Sequence, residues 1–153
     1  MQETLSLEVL MFEVVYGNIF KRNTDAIVNP VNTVGVMGAG LAKSFKAYCP
    51  PMFQAYQIAC QQGEVQIGKV DWFLYKGQYI VNFPTKQHWR NPSSYAYIQL
   101  GLEDLAKNPF QLNSISLPAL GCGLGGLHLS YVQTMIQSLL DPAYSLVELV
   151  LVP

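Results

Sequence analysis

The run Ala26-Ile27-Val28-Asn29 feeds directly into NPVNTVGVMGAGLAKSF (29–45), where Gly35, Gly38 and Gly40 interrupt an apolar stretch just before helix-forming residues. A strand this short and this apolar has no wet face, so it reads as a buried parallel strand, and the glycine turn after it opens a helix. The same alternation continues along the chain. Leu5–Tyr16 reads as one long strand or a pair of strands. Helices are expected at about 39–48 and 52–62, separated by Pro50-Pro51 and closed by Gly63. Strands at 70–75 and 78–83 meet across Lys76-Gly77 as a tight hairpin. Ser93 or Ser94 caps a helix running to about Lys107 with Ile98, Leu102 and Leu105 on one face. A strand at 114–120, a helix at about 130–140 and a last strand at 145–152 complete the order. The pattern predicts an α/β fold: a three-layer α/β/α sandwich with a mixed central sheet, one domain over 1–153, and a ligand crevice at the carboxyl ends of the strands.

Charge narrows the function. Hydrophobic residues make up 50% of the chain and charged residues only 12%, about half the usual ~25%. A net charge of -1 excludes binding of nucleic acid by a bulk positive field, so any such contact is local. Cys49, Cys60 and Cys122 are widely spaced, with only His88 and His128 to join them, which fits neither a disulfide framework nor a structural zinc. No apolar run reaches the ~18 residues of a membrane span, and the first residues, with Glu3 and Glu8, lack a basic leader. The expectation is a cytoplasmic protein with no membrane contact.

The three segments that follow central strands, 29–41, 82–91 and 118–127, share one property. No acid stands between Asp25 and Glu64, between Asp71 and Glu103, or between Asp104 and Asp141. Such loops cannot build a carboxylate-pair hydrolase or a hard-metal site, so neither metal nor cofactor is expected. They suit an anion. GVMGAG (35–40) and GCGLGG (121–126) can each present a row of amides, and two facing rows would clamp a diphosphate. Taken singly, each is as readily a structural turn. NFPTKQHWR (82–90) supplies the only cations of these loops, Lys86 and Arg90. Lys86 is either a solvated loop lysine or a crevice group serving as phosphate ligand, nucleophile or proton donor. His88, Trp89 and Arg90 either pack the loop or brace a nucleic-acid strand.

DAIVNPVN, GVMGAGLA, NFPTKQHWR and LPALGCGLGGL, in this order and at these separations, resemble the macrodomain, the ADP-ribose-binding α/β/α fold. NFPTKQHWR in particular resembles the DarG-type DNA ADP-ribosylglycohydrolases, antitoxins that remove ADP-ribose from thymine in DNA. The similarity runs from about Val14 to the last strand. It implies that Gly35, Val36, Met37, Gly38, Gly40 and Leu41 on one side, and Gly121, Cys122, Gly123, Leu124, Gly125 and Gly126 on the other, hold the diphosphate and the ribose next to the scissile bond. Asn29 and Asn32 would face that ribose. Asn18 and Ile19 would meet the adenine, where many macrodomains carry an aspartate. Thr85 would join the ligand shell, Lys86 would be catalytic, and His88, Trp89 and Arg90 would touch DNA. Protein-deADP-ribosylating relatives place an aspartate in the second glycine loop, where this chain has Gly125. The implied activity is an N-glycosidic hydrolase on ADP-ribosylated thymine of single-stranded DNA, monomeric, with a cognate DNA ADP-ribosyltransferase toxin as partner. The alternatives are a non-catalytic ADP-ribose-binding module, or a macrodomain hydrolase for ADP-ribosylated protein or O-acetyl-ADP-ribose.

Overall fold

The computed structural model describes residues 11–153. One six-stranded sheet forms the centre, in the order β1-β6-β5-β2-β4-β3. The strands are β1 (Met11–Tyr16), β2 (Ala26–Val31), β3 (Asp71–Tyr75), β4 (Gln78–Pro84), β5 (Ser114–Leu117) and β6 (Leu146–Leu151). Every neighbouring pair is parallel except β3 with β4. That hairpin turns on Lys76 and Gly77, both at positive φ (51° and 79°), the geometry of a two-residue I′ turn. The expected strand over residues 5–16 is seen as β1 from Met11, and its first residues lie outside the described chain.

Helices α1 (Gly40–Tyr48) and α2 (Pro50–Gln61) cover one face of the sheet, and α3 (Tyr95–Leu105) and α4 (Leu129–Leu140) the other. The layering follows from strand alternation. Ala26 and Val28 of β2 point into the core built with Ile98, Leu102, Val132 and Ile136, whereas Ile27 and Val31 meet Phe45, Met52 and Tyr56. Phe83 fills the first of these layers against Gly101, where a Cβ would lie 2.3 Å from the ring. The glycine lets α3 settle close to the sheet.

Several boundaries differ from expectation for local reasons. Pro50 does not merely separate two helices but opens α2 at its first turn, where a missing N–H costs nothing. Of the two candidate caps, Ser94 takes the role: its side chain accepts from the Tyr97 amide. α3 ends at Leu105, and β5 stops before Pro118, which cannot donate to a ladder. A short 3-10 helix, Ile19–Lys21, was not legible in the sequence. Arg22 pins its end to the sheet through a bidentate pair with the buried Glu148 of β6, at 2.9 and 2.6 Å, and Ser116 of β5 donates to the same carboxylate. No helix among the described residues is long and apolar enough to cross a membrane.

Candidate functional site

All five parallel strands end on the same side, and the residues that follow them enclose a cleft of about 1570 Å³. Pockets for drug-sized ligands measure roughly 300–1,000 Å³, so this cleft has room for something larger, of dinucleotide length. Among the described residues its lining contains no Asp or Glu, and Lys86 is its only charged side chain. The acid-free loops noted in the sequence do converge.

The first glycine loop is held open by its own side chains. Asn32 accepts from the amides of Val34 and Val36 and from Tyr56 Oη, and donates to the Val36 carbonyl at 2.7 Å. Burial, and after it the neighbouring Cys60 thiol, push the Tyr56 pKa well above its ordinary value, so it stays a neutral donor. Beyond this scaffold the amides of Gly38, Ala39, Gly40, Leu41 and Ala42 have no acceptor among the described residues, and all five residues line the cleft. α1 begins here with neither a side-chain cap nor an acid in its first turn, which leaves its positive dipole end free.

Opposite lies the second loop, where Gly121, Gly123, Leu124 and Gly125 likewise line the cleft with amides that have no acceptor among the described residues. Gly125 is glycine for a steric reason. A Cβ there would sit 2.5 Å from the Gly121 carbonyl oxygen. An aspartate at 125 cannot enter this loop shape.

Lys86 stands between two fixed points. The Thr85 amide donates to Val31 and its carbonyl accepts from Ser93 Oγ, while on the other side of Lys86 the Gln87 carbonyl accepts from both the amide and the hydroxyl of Thr33 at 2.9 Å. The lysine side chain is half-buried and has no ion-pair partner among the described residues. Trp89 reaches the cleft rim 45% exposed, with the Arg90 guanidinium 4.5 Å over its ring. His88 lies tilted against Trp89 with ring centroids 5.2 Å apart, and its Nδ1 accepts from the Arg90 amide, so the three residues form one cluster.

Most of the residues singled out in the sequence meet here. Asn18, Ile19, Asn32, Val36, Gly38, Gly40, Leu41, Thr85, Lys86, Trp89, Gly121, Gly123, Leu124 and Gly125 line the cleft; Gly35, Met37, Cys122, Gly126, His88 and Arg90 lie outside its lining. Two placements correct the expected geometry. Asn29 does not face the cleft: the pleat turns it to the α1/α2 side, fully buried, where it donates to Asn82 Oδ1 at 3.1 Å and touches Met37 Sδ. Asn32 reaches the lining, but its amide is occupied in shaping the loop rather than presented to a sugar hydroxyl. Asn18 Oδ1 caps the 3-10 helix through the Phe20 amide. A further wall, made by Phe20, Tyr48 and Val150 to Pro153, carries no motif in the sequence. Phe20 stacks within 5 Å of both Phe45 and Tyr48, a cluster hidden because no periodicity marks a one-turn helix.

An α/β/α sandwich with two amide-lined glycine loops over the strand ends is the architecture of a macrodomain, and the Macro domain family profile matches residues 28–136: the chain belongs to that family. Within it the chain is similar to the macrodomain of Thermus aquaticus DarG, at 43% identity and a TM-score of 0.86, covering 94% of this chain and 99% of that one. A Thermus aquaticus relative named DNA ADP-ribosyl glycohydrolase is 45% identical over 86% of this chain, which spans 38% of that relative's length. In Thermosipho africanus, a DNA ADP-ribosyl transferase-DNA ADP-ribosyl glycohydrolase fusion protein is 36% identical over 77% of this chain and 36% of its own length. The structure of Thermosipho africanus DarTG in complex with ADP-ribose matches with a TM-score of 0.82 at 31% identity, over 92% of this chain and 42% of that one.

Proposed function

We propose that the chain, as one macrodomain over 1–153, binds ADP-ribose in the cleft and hydrolyses the N-glycosidic bond between its C1″ and a thymine base of single-stranded DNA. The observation that carries this reading is Lys86, among the described residues the one charged side chain in the cleft lining, which has no Asp or Glu, held between two loops of free amides. The amides take the diphosphate, whose negative charge the cleft opposes nowhere. As the glycosidic bond breaks, negative charge develops on the departing thymine, and a fixed ammonium there stabilises the transition state more than the ground state. Water supplies the hydroxyl that replaces the base at C1″. Among the described residues no Asp or Glu lines the cleft to deprotonate the lysine, and Gly125 leaves no room for one, so the ammonium serves as an electrostatic or proton-donating group rather than a nucleophile.

The cluster of His88, Trp89 and Arg90 at the rim suits a single strand, combining a base platform with a cation. On this reading the protein works in the cytoplasm as a monomer, as the antitoxin to a DNA ADP-ribosyltransferase. The Thermosipho africanus relative, whose name joins both activities, supports that pairing.

Lys86 tests the proposal. Lys86→Ala should lower release of ADP-ribose from ADP-ribosylated thymidine DNA ~100-fold or more, while free ADP-ribose binds within a few-fold of wild type. Lys86→Arg, which keeps the charge but is a poor proton donor, should retain part of the rate if electrostatics dominate. Wild-type turnover in the alanine variant would remove the role assigned to Lys86.

A further inference from the structure

A second groove, of about 710 Å³, lies between α1 and α2 and joins the cleft at Gly38 and Ala47, which line both. Resting on the function proposed above, we propose that this groove is the track for the phosphodiester backbone of the DNA strand flanking the modified base. Lys43 and Lys46 line it, both exposed, one helical step apart on α1, and neither has an ion-pair partner among the described residues. Neither α1 nor α2 contains an acid, the nearest in sequence being Asp25 and Glu64. Phe53 lies beneath Lys46, whose Nζ sits 4.4 Å from the ring centroid, so the ammonium is held over the groove rather than trailing in solvent. Gln57 ties the groove wall to the first glycine loop through the Gly35 carbonyl at 3.5 Å.

Two exposed lysines on a helix are ordinarily a solvated face. Here three things add up: they line a groove, the groove opens at the loop proposed to hold the ribose next to the scissile bond, and among the described residues the groove's lining contains no acid. With a net charge of -1 the protein has no bulk field to attract a polyanion, so the strand must be caught by local cations. Lys86 and Arg90 supply one such pair at the rim, and Lys43 and Lys46 the other, across Gly38. A strand running over this ridge would keep its modified base at the cleft mouth.

The test compares wild type with a Lys43→Gln/Lys46→Gln double variant, whose exposed positions leave its melting unchanged. Two readouts are needed. Binding of an unmodified single-stranded oligonucleotide, followed by fluorescence anisotropy across a salt series, should lose about 1.4 from its log–log salt slope, ~0.7 for each phosphate contact. At 0.1 M salt that corresponds to a roughly 10- to 30-fold loss of affinity. KM for an ADP-ribosylated oligonucleotide should rise in the same proportion, while turnover of ADP-ribosylated thymidine mononucleotide, too short to reach the groove, stays at the wild-type rate. An unchanged slope and KM overturn the proposal, as does equal damage on the mononucleotide, which would assign the lysines to the cleft. Failure of wild type to bind the oligonucleotide overturns it as well. If wild type releases ADP-ribose from neither substrate, the catalytic reading falls, and the anisotropy slope still decides the groove.

Discussion

Replacing Arg22 with alanine removes the clamp that holds the 3-10 helix, and with it one wall of the cleft, against the sheet. Glu148 is only 5% exposed and accepts three hydrogen bonds, two from Arg22 and one from Ser116. Arg22→Ala leaves the buried carboxylate with the single hydroxyl. Breaking a buried pair in this way costs ~3–5 kcal/mol, but the Arg22 side chain is 33% exposed, and water entering behind it reduces the expected loss to ~2–3 kcal/mol. For a domain of this size that lowers Tm by roughly 5–10 °C. The loss has a pH signature. Hydrogen bonds from Arg22 and then Ser116, against burial, hold the Glu148 carboxyl below the usual carboxylate range. A depressed folded pKa contributes stability that is present above the unfolded value of about 4.3 and is lost as pH falls through the folded value. The gap between wild type and Arg22→Ala is therefore full at neutral pH and closes below about pH 4. Thermal melts followed by circular dichroism at pH 7 and at acid pH, with Glu148→Gln in parallel, measure it. A gap under ~0.5 kcal/mol, or one that does not change with pH, would refute the reasoning, because it would mean that the carboxylate is solvated from elsewhere.

Gly38→Val should fold normally, since Gly38 lacks positive φ and a Cβ there meets only Val36 at 3.5 Å, yet it should weaken ADP-ribose binding at least ~10-fold in calorimetry by intruding on the phosphate approach. Gly125→Asp should lower both ADP-ribose affinity and turnover, because its Cβ collides with the Gly121 carbonyl; a variant that keeps wild-type affinity would show that the loop reshapes freely. Turnover should survive a strong chelator, since no group of three or more His, Cys, Asp or Glu among the described residues could hold a metal; loss of activity that added metal restores would refute this.

What the sequence determined by itself were the features encoded by neighbours along the chain. The strand-helix alternation, the Lys76-Gly77 hairpin and the absence of acids from three segments are local facts, and each survives into the structure because strand-end loops of parallel strands must emerge on one side. The position of Lys86 just past β4 was legible for the same reason. Side-chain direction was not. Asn29 and Asn32 stand in one motif, yet the pleat of β2 buries the first against Asn82, a partner 53 residues away, and the second is consumed by Tyr56 of α2. Only strand register and helix docking decide such pairings, because they depend on which face each element presents. The same holds for Gly125, which in the sequence is one glycine among several and in the structure is the position where a carbonyl oxygen 2.5 Å away forbids any side chain. The paired sides of the cleft, the Arg22–Glu148 clamp across 126 residues and the groove between α1 and α2 exist only once distant segments are packed together, since the contacts that make them have no counterpart in local sequence.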